Sequence, residues 1–167
     1  MGQSEIPSMS NITVDWKGVH KLLMYLKTKK ANGPGEIPAF ILKAAATELA
    51  LALANLFQLS LDLGEVPQDW REASVVPRFK KGYRHLASNY RPVSLTSITC
   101  KLMDHIVHSN VMQHFDRYNV LGDNQHGFRK RRSCETQLLT TIQETASNTA
   151  KGKQVDVILL DFAKAFD

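Results

Sequence analysis

The chain has 167 residues, 43% hydrophobic and 22% charged, which supplies the core of one ordinary domain and excludes general disorder. Lysine and arginine total 21 against 16 acidic residues, a net charge of +5, which alone says little about a partner. Two cysteines, Cys100 and Cys134, without CxxC spacing argue against a disulfide framework or a cysteine zinc site and point to a reducing compartment.

Residues 1–12 read as a flexible leader. They lack the basic and apolar regions of a signal peptide, and Ile6 stands where N-myristoylation needs Ser or Thr. A helix is predicted from about Thr13 or Asp15 to Lys29, because Val19, Leu22, Leu23 and Leu26 form one stripe at helical spacing. The run from Ala31 to Gly35, with Pro34 inside it, breaks it. A second helical stretch covers Ala39 to Leu63, stopped by Gly64 and Pro67. Its most apolar part contains Glu48, Asn55, Gln58 and Asp62, so a buried helix is expected there and not a membrane span.

Two short β-prone runs follow, Ala73 to Phe79 and Pro92 to Leu95, predicting an antiparallel pair joined by a long basic loop around Gly82. Pro77 and Pro92 suit edge positions. A helix is predicted from Ser97 to Arg117, with Ile98, Leu102, Ile106 and Val107 on one face, and a turn over Asn119 to Asn124. Ser133 is a candidate N-cap for a helix to Thr149 with Leu138, Leu139 and Ile142 inward. Val155 to Leu160 reads as a buried strand ending at Asp161. Trp16 and Trp70 are expected to anchor packing, and His105 and His108 complete no metal pattern. The fold class is α+β, mostly helical with a short β-hairpin and one further strand.

Charge is placed unevenly. From Ala73 to Met103 there is no acidic residue, while Arg78, Lys80, Lys81, Arg84, Arg91 and Lys101 all fall there and leave the remainder nearly neutral. Such a segment suits a polyanion. Lys80 and Arg91 lie about a hairpin's span apart, so both can face one phosphate ligand, the arginine as a planar fork and the lysine as a point charge. Lys81 competes for the lysine role, and a solvated basic loop is the plain alternative. Arg129, Lys130, Arg131 and Arg132 form a second run suited to a phosphate backbone. At the C-terminal side, a carboxylate closing an apolar strand is costly unless paired, for instance with a cation. Asp161 is therefore a candidate metal ligand, with capping of the following residues as the rival reading.

Several blocks carry a family resemblance in one order. Residues 30–38 (KANGPGEIP) are similar to KAxGPDGIP, residues 70–82 (WREASVVPRFKKG) to WxxAxVxPIxKKG, and residues 89–95 (NYRPVSL) to NYRPISL. Residues 125–133 (QHGFRKRRS) are similar to QxGFRxGRS, and residues 160–167 (LDFAKAFD) to LDxSKAFD. Together they resemble the reverse transcriptases of LINE-type, non-LTR retrotransposons, with the jockey-like branch the nearest fit, over roughly Thr13 to Asp167. Departures are Gly35-Glu36 for Asp-Gly, Arg78 for Ile, Arg131 for Gly and Ala163 for Ser.

The resemblance implies an RNA-directed DNA polymerase working on an RNA template, a DNA primer and dNTP with Mg2+. It implies fingers and the start of the palm over 13–154 and the first palm strand, with its catalytic motif, over 155–167. It makes Asp161 the catalytic metal ligand, aided by the backbone carbonyl of Phe162. Lys80, Lys81 and Arg91 become dNTP contacts, and Phe166 the aromatic under the incoming sugar, where a 2′-hydroxyl would clash. The resemblance places the region of residues 129–132 near the template strand, so Arg129, Lys130, Arg131 and Arg132, together with Arg78 and Arg84 of the acid-free segment, are expected nucleic-acid contacts. An intracellular place, cytoplasm and nucleus, follows, with no membrane partner and no indication of oligomeric state. The family's second catalytic block carries an Asp-Asp pair, and no adjacent aspartates occur in this chain. The chain is therefore expected to be the front part of the polymerase, inactive by itself. A nucleic-acid-binding module without catalysis is the second reading.

Overall fold

A computed structural model describes residues 6–29, 33 and 37–162 of the chain. Its helices and two-stranded antiparallel sheet make the fold α+β. The chain divides into two compact units, residues 1–114 and 115–167.

In the first unit, α1 spans Trp16–Met24 and opens on Asp15, whose side chain accepts a hydrogen bond from Lys17 N at 3.2 Å. A carboxylate in that position satisfies an amide donor that the helix leaves unpaired. Val19 and Leu23 are fully buried, and Leu22 and Leu26 pack beside them, as the stripe predicts. The helix ends five residues before Lys29. Tyr25 caps it, and a tight bond from Leu26 N to Leu23 O turns Leu26 back onto the core. Trp16 is not the anchor expected. It stands at the first helical position, past the end of the buried stripe, about half exposed beneath the Lys17 ammonium.

The second helical stretch is two helices, α2 (Ala39–Ala44) and α3 (Ala46–Leu63), bent at Ala45. No Gly or Pro lies between 39 and 63, so packing and not local chemistry sets the bend. Ala46, Ala50 and Ala54 recur every four residues and are buried. Their small side chains let α1 approach α3 closely, and Phe57 closes the row, fully buried with its ring edge-on to Trp70 at 5.5 Å. Only this one face of α3 is buried, since Leu51, Leu59 and Leu63 on the others are more than half exposed. Gln58 holds the segment before α1 by accepting from Val14 N and donating to Ile12 O. Gly64, at φ +67°, supplies the left-handed residue that ends α3. No helix among the described residues is long and apolar enough to cross a membrane.

A short helix α4 (Gln68–Arg71) leads to the hairpin of β1 (Ser74–Phe79) and β2 (Tyr90–Leu95). The pair is antiparallel, with Ser74 opposite Leu95, Pro77 opposite Pro92, Arg78 opposite Arg91 and Phe79 opposite Tyr90. Lys80 N donates to Asn89 O at 2.8 Å. That bond sets the alternation of the ladder and puts the two prolines on a pair that exchanges no hydrogen bonds, where their missing N–H costs nothing. Helix α5 (Ile98–Arg117) then lays Leu102 and Met103 into the core, with Ile98 and Ile106 against it, as predicted for three of the four face residues.

The second unit contains the turn over 119–124 and α6 (Cys134–Ala150). Ser133 caps α6 as predicted, in a reciprocal arrangement with Thr136: Thr136 N donates to Ser133 Oγ, and Ser133 N donates to Thr136 Oγ1. Two expectations fail here. Leu138, Leu139 and Ile142 are each more than half exposed, and no residue of α6 is buried. An amphipathic stripe states which face wants a partner, not that one is present. The strand predicted over 155–160 is also absent: residues 153–162 form no regular element, and Ile158, Leu159 and Leu160 are 82%, 91% and 89% exposed. A strand exists through the ladder beside it, and among the described residues the only ladder joins β1 to β2.

Candidate functional site

The basic hairpin is the most organised part of the predicted site. Residues directly opposite on antiparallel strands project to the same face, and so do residues two apart on one strand. Arg78 and Arg91 are therefore cross-strand neighbours on one face, and Lys80, two beyond Arg78, continues it. All three are exposed. The opposite face carries Phe79 and Tyr90, edge-to-face at 5.5 Å. Two arginines placed directly opposite repel each other, and no carboxylate occurs between residues 73 and 103 to offset them. Such a face is set up for an added anion.

The loop joining the strands is braced from within. Asn89 Nδ2 donates to Tyr83 O and Tyr90 Oη donates to Arg84 O, each at 2.8 Å. The Arg84 guanidinium lies over the Phe79 ring, 5.2 Å from its centroid. Gly82 has φ +85°, and a Cβ there would come within 2.7 Å of Asn89 Nδ2, so this turn requires glycine. Gly33, from the first block of the resemblance, lies so close to the Thr96 carbonyl that a Cβ would collide with it. That contact explains why the block carries glycine there.

The cationic run of residues 129–132 splits into two kinds. Arg129 Nη1 donates to Gly122 O at 2.9 Å, and Arg132 Nη2 pairs with Asp123 Oδ1 at 2.9 Å while its Nη1 donates to Asp123 O. These two hold the 121–123 turn. Lys130 and Arg131 are exposed, with Arg131 at φ +62° and neighbouring Phe128 at φ +60°. His126 Nδ1 lies 2.7 Å from Thr136 Oγ1, joining the loop to the cap of α6. These braces were not legible beforehand, because most of them end on backbone carbonyls, which carry no residue signature.

Asp161 and Phe162 are exposed, outside any regular element. Phe166 and Asp167 lie outside the described residues. No group of three or more His, Cys, Asp or Glu gathers among the described residues. Elsewhere, burial, followed by the Asp104 carboxylate, pushes the Cys100 thiol above its ordinary pKa, which keeps it protonated and poorly nucleophilic.

From the last residue of β1 onward, the basic loop, β2, the cationic run and the carboxylate segment fall within one stretch of recognisable sequence. The profile of the family described as reverse transcriptase (RNA-dependent DNA polymerase) matches residues 79–167. The chain belongs to the reverse transcriptase family. It is 27% identical over 167 residues to the RNA-directed DNA polymerase from mobile element jockey of Drosophila melanogaster, an alignment covering 99% of this chain and 18% of that protein. It is 25% identical over 143 residues to the probable RNA-directed DNA polymerase from transposon BS of the same organism, covering 85% of this chain and 16% of that protein. The chain thus spans less than a fifth of the length of these relatives. The resemblance to LINE-type reverse transcriptases read from the motifs is borne out.

Proposed function

We propose that this chain is the fingers and first palm portion of an RNA-directed DNA polymerase, and that its basic hairpin binds the triphosphate of an incoming dNTP. One observation carries this reading: Arg78, Lys80 and Arg91 share one face of a hairpin with no carboxylate in the surrounding segment. Arg91 offers a planar fork to phosphate oxygens, and Lys80 or Lys81 a point charge. Arg78 joins this group by its register, an addition to the contacts expected from the motifs.

The oxygen donors available at Asp161 and the Phe162 carbonyl fit Mg2+, which takes one or two carboxylates and completes its shell with water and substrate phosphates. Held there, such an ion would supply Lewis-acid stabilisation of the charge on phosphate oxygens. The hairpin cations orient the phosphates; the resemblance assigns the metal to Asp161 and the sugar to Phe166. Lys130 and Arg131, with Arg84, face the nucleic acid, the RNA template and its DNA primer. Arg129 and Arg132 serve by shaping the loop that presents their neighbours. Work in the cytoplasm and nucleus accords with this reading. The second reading, binding without catalysis, gains nothing from polymerase relatives.

The test is a double-mutant cycle on dTTP binding in magnesium. Arg91→Ala weakens binding by about tenfold or more, the loss of a charge-assisted bond. Lys80→Ala weakens it as well, and the two losses are non-additive because both cations meet one triphosphate. Independent, additive losses, or none, defeat the assignment. The 167-residue chain by itself extends no primer on an RNA template, because no adjacent aspartates accompany Asp161; magnesium-dependent extension by the purified chain contradicts this.

A further inference from the structure

The hairpin loop holds an aromatic pair that the triphosphate reading leaves unused. The rings of Tyr83 and His85 are stacked, with centroids 5.6 Å apart and planes at 28°. Tyr83 is 71% exposed and His85 is exposed as well. The stack stands on fixed backbone: the Tyr83 carbonyl accepts from Asn89 Nδ2 and from Leu86 N, and the Arg84 carbonyl accepts from Tyr90 Oη. Lys80, Lys81 and Arg84 surround it in sequence, and no acidic residue is nearer than Glu72 and Asp104.

Each feature excludes something. An exposed aromatic pair has no core to fill, so it does not hold the hairpin together; the Phe79–Tyr90 pair on the strands does that. A cationic loop without aromatics would suit any polyanion, including a duplex. An open ring face among cations adds affinity only for a ligand that presents both phosphates and unstacked flat groups, and single-stranded nucleic acid does so. We infer that Tyr83, backed by His85, is a stacking platform for one base of a single-stranded nucleic acid whose adjoining phosphate lies against Arg84. The site goes beyond the triphosphate assignment and needs neither Asp161 nor magnesium.

The experiment uses the 167-residue chain and fluorescein-labelled single-stranded dT and rU 12-mers, followed by anisotropy at low salt. Tyr83→Ala weakens binding about tenfold, the effect of losing one stacked base, and Tyr83→Phe, which keeps the ring, binds like the unsubstituted chain. The salt dependence of Tyr83→Ala is unchanged because no phosphate contact is lost, while Arg84→Ala reduces the slope by about one contact's worth. In the unsubstituted chain, an oligonucleotide carrying 5-iodouracil cross-links on irradiation at Tyr83, which mass spectrometry locates without any variant. Equal affinity for Tyr83→Ala and the unsubstituted chain, equal losses for Tyr83→Ala and Tyr83→Phe, or cross-links that never reach Tyr83 each overturn the platform. None of these results touches dTTP binding, so this site and the triphosphate site fail separately.

Discussion

Arg78 and Arg91 face each other across the hairpin with nothing negative in the surrounding segment. Directly opposed like charges cost a strand pair roughly 0.2–1 kcal/mol, so this contact is retained at a cost to the free protein. Arg78 is also where the family motif has isoleucine, a residue better suited to a strand. Arg78→Ile is therefore expected to stabilise the hairpin by up to about 1 kcal/mol, read as slower amide exchange in residues 74–95, and to weaken dTTP binding less than Arg91→Ala does. Faster exchange in Arg78→Ile would mean that the two guanidinium groups are not in conflict. Arg129 and Arg132 teach the converse lesson. Four consecutive cations look equivalent as letters, yet two are committed to carbonyls and a carboxylate of the preceding turn, and only Lys130 and Arg131 remain for an external phosphate backbone.

At the scale of elements, what stabilises α6 is its end. None of its residues is buried, so its helicity rests on the Ser133–Thr136 capping box and the first-turn charge of Glu135. Ser133→Ala costs about 1 kcal/mol, which shows as faster amide exchange along residues 134–150 while α1 and α3 keep their protection; a uniform loss across the chain contradicts the local origin. Glu135 adds a pH dependence. The Ser133 hydroxyl, then a backbone hydrogen bond, holds its carboxyl below the ordinary value of 4.5. A carboxylate with a depressed folded-state pKa stabilises fully above its unfolded value and loses that contribution as pH falls through the lower one. Helix α6 therefore frays as pH drops below about 4.5, and Glu135→Gln flattens that response in the far-ultraviolet circular dichroism. These local devices were legible: the Ser133 cap, the Gly64 stop, the α1 stripe and the β1–β2 pair all follow from a few adjacent letters. What was not legible depends on partners remote in sequence. The 155–160 run has the composition of a buried strand, but it is exposed and lies beside no strand among the described residues. The bend at Ala45 and the outward Leu138, Leu139 and Ile142 have the same cause. The polymerase motifs were readable because five blocks resemble one family's in the same order, whereas the sharing of a face by Arg78, Lys80 and Arg91 needed the strand register.

Over the whole molecule, burial is concentrated where α1, α2, α3 and α5 meet, and residues 115–162 contain no buried side chain. The two units therefore differ in what a core mutation does to them. Phe57 is fully buried, ends the alanine row of α3 and meets Trp70 edge-on. Truncating it removes a large apolar surface and leaves a cavity that neighbouring alanines cannot fill, at a cost of about 3–5 kcal/mol. That is a large share of the roughly 5–15 kcal/mol that holds an ordinary domain together. Phe57→Ala is accordingly expected to lower the melting temperature and to erase the slowest-exchanging amides of α1 and α3. The amides of α6, which draw nothing from that cluster, keep their exchange rates. If α6 instead loses protection in step with α3, the two units fold as one cooperative body, and α6 is held by the core and not by its Ser133 cap.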